Sequence, residues 1–136
     1  MLPMNKPLAR TEGLVTEATT DGELLVYDLA GDVASRLNYT AALVWRSCDG
    51  RRTISQLKAI LGEELGESVD EDVVLIALDS LLESGLIVSG YQERDGAAVA
   101  LSRRRFFRRA ALAGAAAIAA PIVYSAILPK TAAASV

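Results

Sequence analysis

Apolar and polar residues alternate over short runs in the first third of the chain, and the period lengthens after residue 37. Leu14, Val15, Thr16 and Glu17 form a first run, Glu23 to Leu29 a second rich in Leu, Val and Tyr, and Val33 to Leu37 a third. Thr20-Asp21-Gly22 and Ala30-Gly31-Asp32 separate them. Asp-Gly readily supplies the positive-φ positions of a tight turn, so the pattern predicts an antiparallel three-stranded meander. Such a sheet has one face to bury and edges to protect.

The helical period begins after Asn38, a good N-cap, with Ala41, Ala42, Leu43, Val44 and Trp45, and it stops at Asp49-Gly50. Thr53 and Gln56 form a capping box before Ile54, Leu57, Ile60 and Leu61, and Gly62 and Gly66 bracket the end of this second helix. Ser68 and Glu71 read as another capping box, opening a third helix that runs to about Ser84, with Gly85 as the natural residue past its end. On a helical wheel Asp72, Asp79, Ser80 and Glu83 share one narrow side. Val73, Val74, Leu75, Ala77, Leu78, Leu81 and Leu82 cover an arc of about 200°, wider than an ordinary surface helix needs. Either the domain buries this helix on two sides, or one apolar edge is left for a partner.

From about Gln92 to Ala100 the chain is polar and rich in Gly and Ala, as in a linker. Ser102-Arg103-Arg104-Arg105-Phe106-Phe107-Arg108-Arg109 follows, and then a stretch free of charge from Ala110 to Leu128. That stretch is about long enough to cross a bilayer, although alanine keeps its hydrophobicity low. The resulting expectation is an α+β chain: a three-stranded antiparallel sheet followed by three helices, plus a C-terminal apolar helix. Its parts are a flexible N-terminus (1–10), a folded domain (11–90), a linker (91–101) and a basic, apolar transmembrane or signal-like segment (102–136).

Charge sharpens the division. All seventeen Asp and Glu precede position 96, together with eight of the fourteen Lys and Arg, so this part carries −9 and the remainder +6. The basic end suits a membrane or polyanion. The acidic part argues against nucleic acid as a partner, because phosphate binding needs Lys and Arg. Without histidine there is no imidazole base or metal ligand, and Cys48 alone provides neither a disulfide nor a thiolate cluster. No cofactor and no enzymatic activity are expected. Cys48 and Trp45 fall within an apolar helical pattern and read as core. Met1 to Arg10, with two prolines and no apolar run, does not resemble an export signal, and the product is expected to begin in the cytoplasm.

Arg36-Leu37-Asn38-Tyr39-Thr40-Ala41-Ala42, Cys48-Asp49-Gly50-Arg51-Arg52-Thr53-Ile54, Glu71-Asp72-Val73 and Leu81-Leu82-Glu83-Ser84-Gly85-Leu86-Ile87 carry a resemblance. The segment from about Leu14 to Val88 resembles the PqqD-like family, recognition elements for ribosomally made, modified peptides. The resemblance implies a winged-helix-like domain to which a leader peptide adds a strand, beside the third strand and against the third helix. By position, the edge would be Val33, Ala34, Ser35, Arg36 and Leu37, and the groove wall Leu75, Leu78, Asp79 and Leu82. Arg36 could pair with an acidic leader residue and Asp79 with a basic one, or both could simply be solvated. The implied partners are a precursor peptide and a modifying enzyme, with a radical S-adenosylmethionine enzyme as the suggested kind.

The end of the chain departs from that family. Ser102-Arg103-Arg104-Arg105-Phe106-Phe107 resembles a twin-arginine export motif, displaced from its usual N-terminal place. The favoured expectation is a tail anchor through 110–128, with Arg103, Arg104, Arg105, Phe106, Phe107, Arg108 and Arg109 held at the cytoplasmic face of the inner membrane. Engagement by the export machinery is the other use. A membrane-tethered holder of a precursor peptide is therefore the leading function, an accessory subunit of a membrane complex the alternative, and a winged-helix DNA binder the least supported binding role.

Overall fold

The computed structural model describes residues 5–113 and 120–128. Its strands are β1 (Leu8–Ala9), β2 (Leu14–Ala18), β3 (Leu24–Asp28), β4 (Val33–Leu37), β5 (Ile87–Ser89) and β6 (Val123–Ile127). The helices are α1 (Tyr39–Ser47), α2 (Ile54–Leu65), α3 (Glu71–Glu83) and α4 (Gly96–Ala113). The meander forms as the turn signals predict, β2 pairing with β3 and β3 with β4, all antiparallel. The sheet has four strands rather than three, because β6 lies antiparallel on the outer edge of β4, giving the order β2-β3-β4-β6.

The helix boundaries follow local chemistry. Asn38 caps α1 by accepting from Ala41 N at 3.0 Å. Thr53 and Gln56 form the reciprocal box at α2, and Gly66 ends it in a left-handed conformation. The box expected from Ser68 and Glu71 does not form: Asp70 is the N-cap of α3, and its side chain makes no cap bond. The other end of α3 is as predicted. Gly85 (φ +74°) lets its own N–H reach Leu82 O and the Leu86 N–H reach Leu81 O, which satisfies carbonyls that a helix end would leave unpaired.

One core joins the sheet to the helices, built on Leu24, Val26, Leu37, Val44, Leu57, Leu61, Val74, Leu78 and Leu81. Trp45 belongs to it and donates from Nε1 to Leu86 O at 2.9 Å. Cys48 is buried too, and desolvation pushes its thiol up to about 12, so it is inert at neutral pH.

Residues 5–10 and 91–101, within the segments expected as a flexible start and a linker, make specific contacts. β1 pairs with β5, Pro7 is buried, and Arg10 grips Asp28 through Nη1–Oδ2 (2.9 Å) and Nη2–Oδ1 (3.2 Å). The Arg10 hydrogen bond, helped by the backbone N–H of Gly31, holds the Asp28 carboxyl below its usual range. Tyr91 is buried, and the helical turns of α4 begin at Gly96. Of the apolar helix expected over 110–128, residues 114–119 lie outside the described residues, and the remainder holds the end of α4 up to Ala113 and the strand β6 from Val123. Among the described residues no helix is long and apolar enough to cross a membrane. Val123, Tyr124 and Ile127 favour a strand, and an open sheet edge gives that preference a partner.

Gly90 (φ +80°) closes the β1–β5 seam, and a Cβ there would run into the Lys6 carbonyl. Gly90→Ala is expected to cost about 1–3 kcal/mol from left-handed strain alone, seen as a lower urea midpoint with an unchanged slope.

Candidate functional site

β4 is the strand around which the site is built. One of its edges is paired with β3, and the backbone groups of alternate residues face the other way, where β6 meets them. The register runs Val33↔Ile127, Ala34↔Ala126, Ser35↔Ser125, Arg36↔Tyr124 and Leu37↔Val123. Asn38 N donates to Ile122 O (3.0 Å) at one end, and Leu128 N donates to Asp32 O (2.6 Å) at the other. In an antiparallel ladder these bonds recur at every second residue, so the outward N–H groups of β4 are those of Ala34 and Arg36.

The edge expected for a peptide is occupied by residues 120–128 of the same chain. Ser35 is buried, and its Oγ lies 2.7 Å from Ser125 Oγ, which in turn donates to Ser84 Oγ at the end of α3 (3.1 Å). Arg36 is exposed and bound to Glu23, with Nε–Oε1 at 2.6 Å, so it is partnered within its own sheet. Leu37 is fully buried and belongs to the core. Asn38, singled out by sequence as a helix cap, also clamps the added strand. Its Nδ2 donates to Ala120 O (2.7 Å), and its Oδ1 accepts from Ile122 N (3.0 Å) as well as from Ala41 N.

The predicted wall residues on α3 divide into three kinds. Leu78 is fully buried, so it is core rather than groove. Leu75 and Leu82 are half-buried against the core. Asp79 is committed to a network: it accepts from Tyr91 Oη (2.7 Å) and from Arg94 Nε (3.1 Å) and Nη2 (2.6 Å). Arg94 continues to Ser102 Oγ at 3.1 Å. Burial, followed by the Asp79 carboxylate, pushes the Tyr91 hydroxyl far above its ordinary range. Asp79, Leu82, Glu83, Arg94 and Arg103 line a cavity of about 640 Å³ between α3 and α4.

The basic motif lies on α4 with its two sides sorted. Phe106 is buried, with the Phe107 ring edge-on 5.3 Å away. Arg105 Nη2 bonds Asp72 Oδ1 (3.1 Å), and Arg109 Nη1 bonds Asp72 Oδ2 (3.0 Å) and Asp70 Oδ2 (2.9 Å). Asp70 and Asp72 stand at the start of α3, where the helix dipole also favours negative charge. Arg103, Arg104 and Arg108 are exposed, and so is Phe107.

Sequence reasoning did not find the docking of α4 on α3, because its ion pairs join residues 15 to 37 positions apart. The signal available was charge: acidic Asp72 and Asp79 on one side of α3, followed by a chain segment rich in arginine.

Residues 23–87 match the family model described as Coenzyme PQQ synthesis protein D (PqqD). The matched stretch holds 65 of the 136 residues and runs from the start of β3 to the first residue of β5. It thus contains β4, Asn38 and all of α3, but not β6 or α4. Comparison with curated proteins gave no match, and comparison with solved structures gave none.

Leu78→Ala is expected to cost about 2–5 kcal/mol of stability, as for a core leucine, by urea denaturation. A groove residue would leave stability almost unchanged.

Proposed function

We propose that the β4 edge and the adjoining face of α3 hold the leader segment of a ribosomally made precursor peptide and present it to a separate modifying enzyme. A radical S-adenosylmethionine enzyme is the suggested partner. The observation that carries this reading is that β4 accepts an antiparallel strand along its full length. Main-chain pairing of this kind supplies affinity without fixing sequence, and alternate side chains supply selectivity. The match of residues 23–87 to the PqqD family model supports the same reading. The domain's contribution is orientation: it turns a pliable peptide into a fixed strand.

Calorimetric titration of the full chain with a synthetic leader from a short reading frame beside its gene tests this. Ala34→Pro removes an outward N–H while leaving the β3 side of the strand paired. It is expected to weaken leader binding by about tenfold or more, equivalent to about 1.4 kcal/mol. Absence of leader binding, or equal binding by the variant, would remove the reading.

A membrane tether remains part of the proposal in altered form. Arg103, Arg104 and Arg108 share the outward side of α4 with Leu101, Phe107 and Leu112, of which Leu112 is 84% exposed. Basic and apolar residues mixed on one helix face suit the interface of an anionic bilayer rather than a span. Co-sedimentation with vesicles rich in phosphatidylserine should fall severalfold in Arg104→Glu/Arg108→Glu. Equal pelleting with neutral vesicles would count against the tether.

A further inference from the structure

β6 fills the site with a segment of the same chain, and the way it is held shows what else the site would take. Its backbone is engaged from Ala120 O to Leu128 N. Its side chains are scarcely engaged: Pro121 is buried, Val123 is half-buried, and Tyr124 to Leu128 are exposed, with Ile127 at 82%. Ser125 meets the small hydroxyls of Ser35 and Ser84. The segment is thus clamped through its main chain at Asn38 and anchored by two side chains, with little apolar burial beyond them. Elements with few buried apolar contacts open at low cost.

Resting on the peptide-binding reading above, we propose that Ala120–Leu128 is a tethered occupant of the leader site. It competes with peptides supplied in trans. The competing ligand is a strand antiparallel to β4 whose register places a proline or small residue at the Asn38 clamp, a β-branched residue beside Leu37 and a small hydroxyl residue beside Ser35. The tail needs no large apolar anchors, because attachment to the domain gives it an effective concentration on the order of millimolar. A free peptide bound at micromolar concentration must contribute more than the tail does, and the exposed Ile127 marks a position where larger contacts can be added. The inward hydroxyl of Ser35 explains why the site discriminates there: a bulky side chain opposite would strand a buried hydrogen-bonding group.

The test uses the full chain in four forms and a fluorescent synthetic peptide of residues 120–128 as probe. Ala126→Pro removes a β6 N–H that faces β4 and should loosen the tail. Asn38→Asp keeps an N-cap acceptor but loses the Nδ2 donor to Ala120 O. Ser35→Cys with Ser125→Cys joins a non-hydrogen-bonded pair, whose Cα separation suits a disulfide, and should lock the tail. Cys48, the natural cysteine, is buried in the core.

By anisotropy, the Ala126→Pro chain is expected to bind the probe roughly tenfold or more tightly than wild type. The oxidised lock should bind none, and reduction should restore wild-type binding. Asn38→Asp with Ala126→Pro should bind less tightly than Ala126→Pro alone. Circular dichroism would establish that each variant is folded. Should Ala126→Pro unfold, the reversible lock alone decides. Equal probe binding by wild-type, opened and locked chains would overturn the competitor while leaving peptide binding elsewhere intact. Probe binding by the opened chain, with no leader bound by it, would overturn the leader-recognition reading instead.

Discussion

An unpaired strand edge is a row of backbone donors and acceptors that must find partners, and the outer edge of β4 sets that requirement here. β3 satisfies one side of the strand, and the fold domain from β1 to β5 supplies nothing for the other. β6 meets the need from more than eighty residues away, as the Ser35–Ser125 pairing shows. Between β4 and β6 in sequence, α4 packs along α3. The pairs of Asp79 with Arg94, and of Asp72 with Arg105 and Arg109, fix that course. The edge, the acidic side of α3 and the arginines of α4 therefore form one arrangement.

Asn38 is where this arrangement meets the domain proper. A cap needs only an acceptor, which Asp or Ser supplies equally well. Asn adds a donor, and here the donor goes to the added strand. One side chain thus starts α1 and pins the start of the strand on β4.

What was legible in the sequence was local. Alternation and Asp-Gly placed β2 to β4, with β4 read at its observed limits of Val33 and Leu37. Asn38, Thr53 with Gln56, and Gly85 marked helix ends because capping depends on neighbours within three residues. The Ser68–Glu71 box failed because Asp70 stood closer to the first turn. The strand that lies on the outer edge of β4 was not legible, since an alanine-rich stretch without charge reads as a helix unless the sheet that recruits its last residues is already known. Leu78 was misplaced for a related reason: periodicity shows that a helix is apolar on two sides, not which side faces the core.

The two ends of α4 are fastened by ion pairs of different character. At its N-terminal end Arg94 and Asp79 are 19% and 10% exposed, shielded from dissolved ions. At its C-terminal end Arg105 and Arg109 are 45% and 50% exposed but share the buried Asp72, and only the Arg109–Asp70 pair is open on both sides, where screening by salt acts most. Ionic strength therefore acts unevenly along a single helix, sparing the end that is rooted in the domain and loosening the end nearer the tail. Added salt is thus expected to relax the Asp70 side of this contact first and to leave the Asp79 side in place.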